Sequence, residues 1–125
     1  MTREEYGRIE RIMRGHMEDS AHDGEHIFRV LRAALSIAKA HPEADLDILV
    51  AACLLHDIGR AAQLRDPSVS HADFGADMAL AHLGELGWDK ARAGRVADAV
   101  RAHRFRSGVR PETIEAMILY DADKL

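Results

Sequence analysis

One segment constrains the fold more than any other. Between Leu46 and Gly59 the chain carries Ile48, Leu49, Ala51, Ala52, Leu54 and Leu55, leaving almost no polar face at helical spacing. A helix that is apolar nearly all round belongs in the middle of a bundle, where every face finds apolar cover. Asp45 or Asp47 is placed to cap its start, and Gly59 to end it. Its last turn holds an anomaly, His56-Asp57, because burying an imidazole and a carboxylate costs free energy unless something pairs with both. A divalent cation would satisfy the two together.

The rest of the chain reads as cover for that helix. A first helix runs from Thr2 to Met17. A second opens near Ala21, shows Ile27, Val30, Leu31, Ala34 and Ile37 on one face, and stops at His41-Pro42. Residues Ala62 to Ser70, with Asp66-Pro67-Ser68, read as a loop. Helices then follow from His71 to Leu86, ended by Gly87, and from the Asp89 cap to Arg104. Arg106-Ser107-Gly108 forms a turn, and Pro111 suits the first position of a last helix. No stretch alternates long enough to suggest a sheet. The expectation is an all-α, compact single-domain bundle of about five or six helices, covering residues 1–125.

Composition narrows the function. At 125 residues the chain is one domain's worth. No apolar run approaches the ~20 residues of a membrane span. The charged stretch from Met1 to Met17 lacks a secretory signal's apolar core, and the sole cysteine, Cys53, can form no internal bridge. A cytoplasmic protein with no membrane partner is the expectation. A formal net charge of -4 gives no broad cationic field, which disfavours duplex nucleic acid. Arg101, Arg104, Arg106 and Arg110 around Phe105 suggest RNA, although a solvated helix end or a phosphate grip accounts for them as well. The 8 histidines are the telling excess, several of them beside aspartates. Imidazole and carboxylate together are a ligand set for divalent transition metals. His16, His41 and His82 fit no pattern and are expected at the solvent, and Cys53 reads as a small core residue.

His26 stands thirty residues before His56. His71 and His103 follow, and Asp121 and Asp123 close the chain. With their contexts, Ser20-Ala21-His22-Asp23, His26-Ile27-Phe28-Arg29-Val30, Ala52-Cys53-Leu54-Leu55-His56-Asp57-Ile58-Gly59, His71-Ala72-Asp73-Phe74-Gly75-Ala76, Val100-Arg101-Ala102-His103-Arg104 and Asp121-Ala122-Asp123-Lys124-Leu125, these blocks resemble the HD-domain metal-dependent phosphohydrolases over about residues 20–125.

The resemblance implies an HD-domain fold and one divalent ion (Mn, Fe, Co, Ni, Zn or Mg) held by His26, His56, Asp57 and Asp123. Such an ion lowers the pKa of a bound water and offsets charge on a phosphoryl oxygen, so no protein nucleophile is needed. Asp57 would align or deprotonate the water, with His22 as proton donor or outer ligand. His71 and His103 match positions where two-metal members add ligands, for a second ion or direct phosphate contact. Arg29, Lys124, Arg60, Arg104 and Arg106 are candidate phosphate contacts. For the last carboxylate two readings conflict. The apolar stripe of Ile114, Met117, Ile118 and Leu125 turns Asp121 toward the core and sets Asp123 about 160° away. The resemblance favours Asp123, which is carried forward.

The expected activity is hydrolysis of a phosphate ester or anhydride in a small phosphorylated substrate, a nucleotide by similarity to small stand-alone members. Rival readings are a two-iron oxygenase built from the same residues and a non-catalytic helical signalling or interaction module. In relatives further helix follows the last motif. Ending at Leu125 therefore implies either a shortened chain or a last ligand on a fraying end that a second copy would cover, as a homodimer.

Overall fold

The computed structural model describes residues 1–17, 20–104 and 109–125, with residues 20–22 described by backbone alone. Among the described residues there are seven helices and no strand: α1 (Arg3–Gly15), α2 (Ser20–Ala38), α3 (Leu46–Leu55), α4 (Arg60–Arg65), α5 (His71–Glu85), α6 (Lys90–Ala102) and α7 (Ile114–Lys124). No helix among these residues is long and apolar enough to cross a membrane.

The apolar α3 is the axis. It packs against α1, α2, α6 and α7, while α5 lies on α6 and is joined to α3 through α4. Ile48, Leu49, Leu54 and Leu55 are fully or almost fully buried, each contributing about 1.5–3 kcal/mol relative to exposure. Asp45 caps α3 by accepting hydrogen bonds from the amides of Asp47 (3.0 Å) and Ile48 (3.2 Å). Its own amide donates to the buried Glu115 carboxylate (2.9 Å), which also accepts from Arg95 of α6. This one acid ties together the start of α3, α6 and α7, so its burial is compensated.

Three of the boundaries that differ from the sequence reading have an identifiable local cause or bear on the cluster. The expected loop from Ala62 begins as the two-turn α4, whose good helix formers span too few residues to display a period. The last helix starts at Ile114 and not at Pro111, because the Thr113 hydroxyl accepts from the Ala116 amide (3.1 Å) and so is the cap. And α3 ends at Leu55, which puts His56 at its C-cap and Asp57 just beyond.

Gly59 ends no helix; it permits a contact. A Cβ there would lie 2.2 Å from the His71 carbonyl oxygen and 2.7 Å from the Gly75 amide. Only a glycine lets the start of α5 press against the turn after α3, and that contact delivers His71 to Asp57. Gly87, with φ of 93°, allows the α5 exit, where the Trp88 amide returns to the Leu83 carbonyl (3.0 Å).

Candidate metal centre

Four histidine rings from four helix regions line up in space in the order His26, His56, His103, His71. Their centroids are 5.4, 5.1 and 5.3 Å apart in turn. Asp57 lies along this row. Its Oδ2 is 3.6 Å from Nε2 of both His26 and His56, and its Oδ1 is 3.6 Å from Nε2 of His103 and 3.8 Å from Nε2 of His71. Asp123 closes the first end, 3.1 Å from His26 Nε2 and 3.7 Å from His56 Nε2. Two sets of three potential ligands result, His26 with His56 and Asp123, and Asp57 with His71 and His103. Within each set the donor atoms lie within 4.8 Å of one another.

Position in the helix decides which nitrogen each imidazole presents. The last carbonyls of a helix have no partner inside it. His56, at the C-cap of α3, turns Nδ1 back to donate to the Cys53 carbonyl (2.6 Å), and His103, at the C-cap of α6, does the same to Val100 (2.5 Å). With Nδ1 donating, a neutral ring presents a bare Nε2 to the cluster, as a metal ligand must. His71 is the first residue of α5, where no spare carbonyl exists, and its Nδ1 instead donates to the Gln63 side-chain oxygen of α4 (2.6 Å). His26 lies inside α2, where neighbouring carbonyls are engaged. Its Nδ1 accepts from Arg29 (3.1 Å), leaving Nε2 as the donor to Asp123.

The site passes a test of fit for a divalent cation. His71 Nε2 and His103 Nε2 are buried with no hydrogen-bond partner, at a cost of about 1–3 kcal/mol each. A cation beside Asp57 Oδ1 would satisfy both. The electrostatics agree. Burial opposes ionisation of Asp57, but His56, His103 and Arg60 hold its carboxyl well below the usual range. Asp123 is likewise lowered against burial by His26 and His56. Burial also disfavours a charged His56, yet Asp57 and Asp123 outweigh it and raise its pKa. His71 is pushed down to about 4 by burial and by His103.

Of the sequence candidates, His26, His56, Asp57, Asp123, His71 and His103 therefore converge. Asp121 does not; it is exposed. The stripe that favoured it was misread, since Met117 and Leu125 are 45% and 76% exposed and the buried face is Glu115, Ala116, Ile118, Leu119 and Ala122. Three arginines border the cluster: Arg29 on His26, Arg60 Nη2 3.4 Å from Asp57 Oδ2, and Arg104 Nη1 3.5 Å from His71 Nδ1. Lys124 is exposed and lays its ammonium over Tyr120, 4.2 Å from the ring centre. The His22 side chain and Arg106 lie outside the described residues. His16 and His82, expected at the solvent, are half-buried and face each other with Nε2 atoms 3.4 Å apart. His41, also expected at the solvent, is half-buried beside Glu43. Cys53 is core, as its surroundings suggested, and burial pushes its thiol up to about 12, unsuited to nucleophilic work. Gln63 escaped the sequence reading, because a glutamine in an apparent loop carries no pattern.

The HD domain model matches residues 23–125. No curated protein matches the chain. A crystal structure from an uncultured Thermotogales bacterium, described as a predicted HD superfamily hydrolase, is 36% identical with a TM-score of 0.78. The match covers 93% of this chain and 64% of that one, so this chain spans somewhat under two thirds of that protein's length. The chain belongs to the HD domain family.

Proposed function

We propose that the protein is a metal-dependent phosphohydrolase that cleaves a phosphate ester or anhydride of a small phosphorylated substrate, a nucleotide above all. The observation that carries this reading is Asp57, whose two oxygens each face a different pair of imidazole Nε2 atoms. His26, His56 and Asp123 would hold one divalent ion and His71 and His103 a second, with Asp57 between. Such ions supply Lewis acidity, a water deprotonated near neutral pH, and charge to offset a developing phosphoryl anion.

The protein's own residues supply the rest. Arg29, Arg60 and Arg104 give the border the cationic donors that a transferring phosphoryl group requires. When His26 serves as a ligand through Nε2, its proton moves to Nδ1, where Arg29 can no longer donate. The exposed guanidinium is then free to meet a phosphoryl oxygen. The related Thermotogales protein's description as a hydrolase supports the reaction class; the nucleotide rests on similarity to small stand-alone members alone.

The test is phosphate release across a nucleotide panel with added Mn²⁺, comparing wild type, Asp57→Ala and chelated protein. Release that needs the metal and is lost in Asp57→Ala supports the reading, and release indifferent to both removes it. A two-iron oxygenase is the second reading, favoured by the same spanning carboxylate. Iron in the purified protein with a charge-transfer band in the near-ultraviolet or visible, and no phosphate release, would establish it.

A further inference from the structure

We infer that Gln63 is a positioning residue that selects the tautomer of His71 and thereby decides whether the His71–His103 half takes up its own ion. The inference rests on the reading of the cluster as a metal centre. His56 and His103 are preset by carbonyls of their own helices, acceptors that belong to the backbone and that no side-chain change removes. His71 has no such neighbour. As the first residue of α5 it sits at the end of the helix that presents amide donors, and its acceptor comes from elsewhere. Gln63 provides it from α4 across the 2.6 Å contact.

A second group competes for the same nitrogen. Arg104 Nη1 lies 3.5 Å from His71 Nδ1 and can only donate. Nδ1 cannot carry a proton toward Gln63 and accept one from Arg104 at once. While Gln63 accepts, the proton sits on Nδ1 and Nε2 stays bare, which is its unpartnered state beside Asp57. Without that acceptor, Arg104 takes the lone pair of Nδ1 and the proton passes to Nε2, so an ion binds there only after that proton has moved back against Arg104. The first half has no contact with Gln63 and keeps its ion. Groups that orient a ligand histidine change metal affinity 10- to 100-fold, so the second ion is expected to weaken by about that factor.

The experiment compares wild type, Gln63→Met and Gln63→Glu. Met matches the length of the side chain and cannot accept; Glu accepts and cannot donate. Nitrogen-15 shifts of the histidine rings in metal-free protein read the tautomer, and Mn²⁺ stoichiometry after gel filtration reads the ions. The expected result is Nδ1–H and two ions in wild type and Gln63→Glu, and Nε2–H with one ion in Gln63→Met. Two ions bound with unchanged affinity in Gln63→Met would overturn the inference alone, as would one ion lost while His71 keeps Nδ1–H. Loss of the second ion in Gln63→Glu as well would also overturn it. A wild type that binds no Mn²⁺ at either half would overturn the reading beneath it, and the inference with it.

Discussion

The half of the cluster formed by His26, His56 and Asp123 opens toward solvent, with the His26 and Asp123 side chains 28% and 21% exposed, whereas His71 and His103 are 3% and 1% exposed. The first half also balances its own hydrogen bonds. One proton on His26 Nε2 reaches Asp123 at 3.1 Å and the bare Nε2 of His56 at 3.4 Å. That proton does there what a cation would do. The second half has two buried nitrogens without a hydrogen-bond partner against a single carboxylate oxygen. A site built from the same residue types thus splits into a part that can rest without an ion and a part that cannot rest cheaply. The origin is where the helices place each ring: interior for His26, ends for the other three.

The largest effect expected from breaking this division is in Asp57→Ala, because Asp57 belongs to both halves. Both ions should be lost, and phosphate release should fall by more than the ~100-fold that marks groups which only orient a ligand. Asp123→Ala should leave the His71–His103 half loaded. Metal analysis of the two variants checks this, and two ions retained in Asp57→Ala would show that the halves do not share it.

Gly59→Ala should act on one half only. The new methyl would meet α5 backbone at His71 and Gly75, and so should destabilise by about 1–3 kcal/mol in urea unfolding and expel the second ion while sparing the first.

The smallest effect is on proton traffic. The His56 pKa is raised, so below it the ring carries a proton that an ion entering the first half must expel, and the ion's affinity rises with pH until the ring is neutral. His71, held at about 4, is already neutral, and its contribution to the second half is flat above about pH 6. Calorimetry in two buffers of different ionisation enthalpy should show proton release for the first half and none traceable to His71 in the second. In metal-free protein the sign for stability also follows. As pH falls from about 6.5 toward 4, the unfolded chain takes up the His71 proton before the folded one does. Stability should therefore decline through that window, and His71→Leu should lack that part of the decline.

The all-helical class, the central place of Leu46–Leu55 and the His-Asp pair at its end were legible in the sequence, because apolar periodicity and a buried polar dipeptide are local signals. The choice between Asp121 and Asp123 was not legible from periodicity. The buried face of α7 is made of alanines and the acid Glu115, which no hydrophobic stripe reveals. The contact of Gly59 with His71 was equally hidden, for the glycine reads as a helix stop and serves as a gap between two backbones.

By itself the sequence determined the six longer helices and which residue types gather at their ends, since those follow from neighbours within a few turns. Only the tertiary structure decided which nitrogen of His71 looks inward. That choice is set by Gln63, an acceptor brought within 2.6 Å by the packing of α4 on α5, and hydrogen-bond geometry of that kind has no trace in spacing.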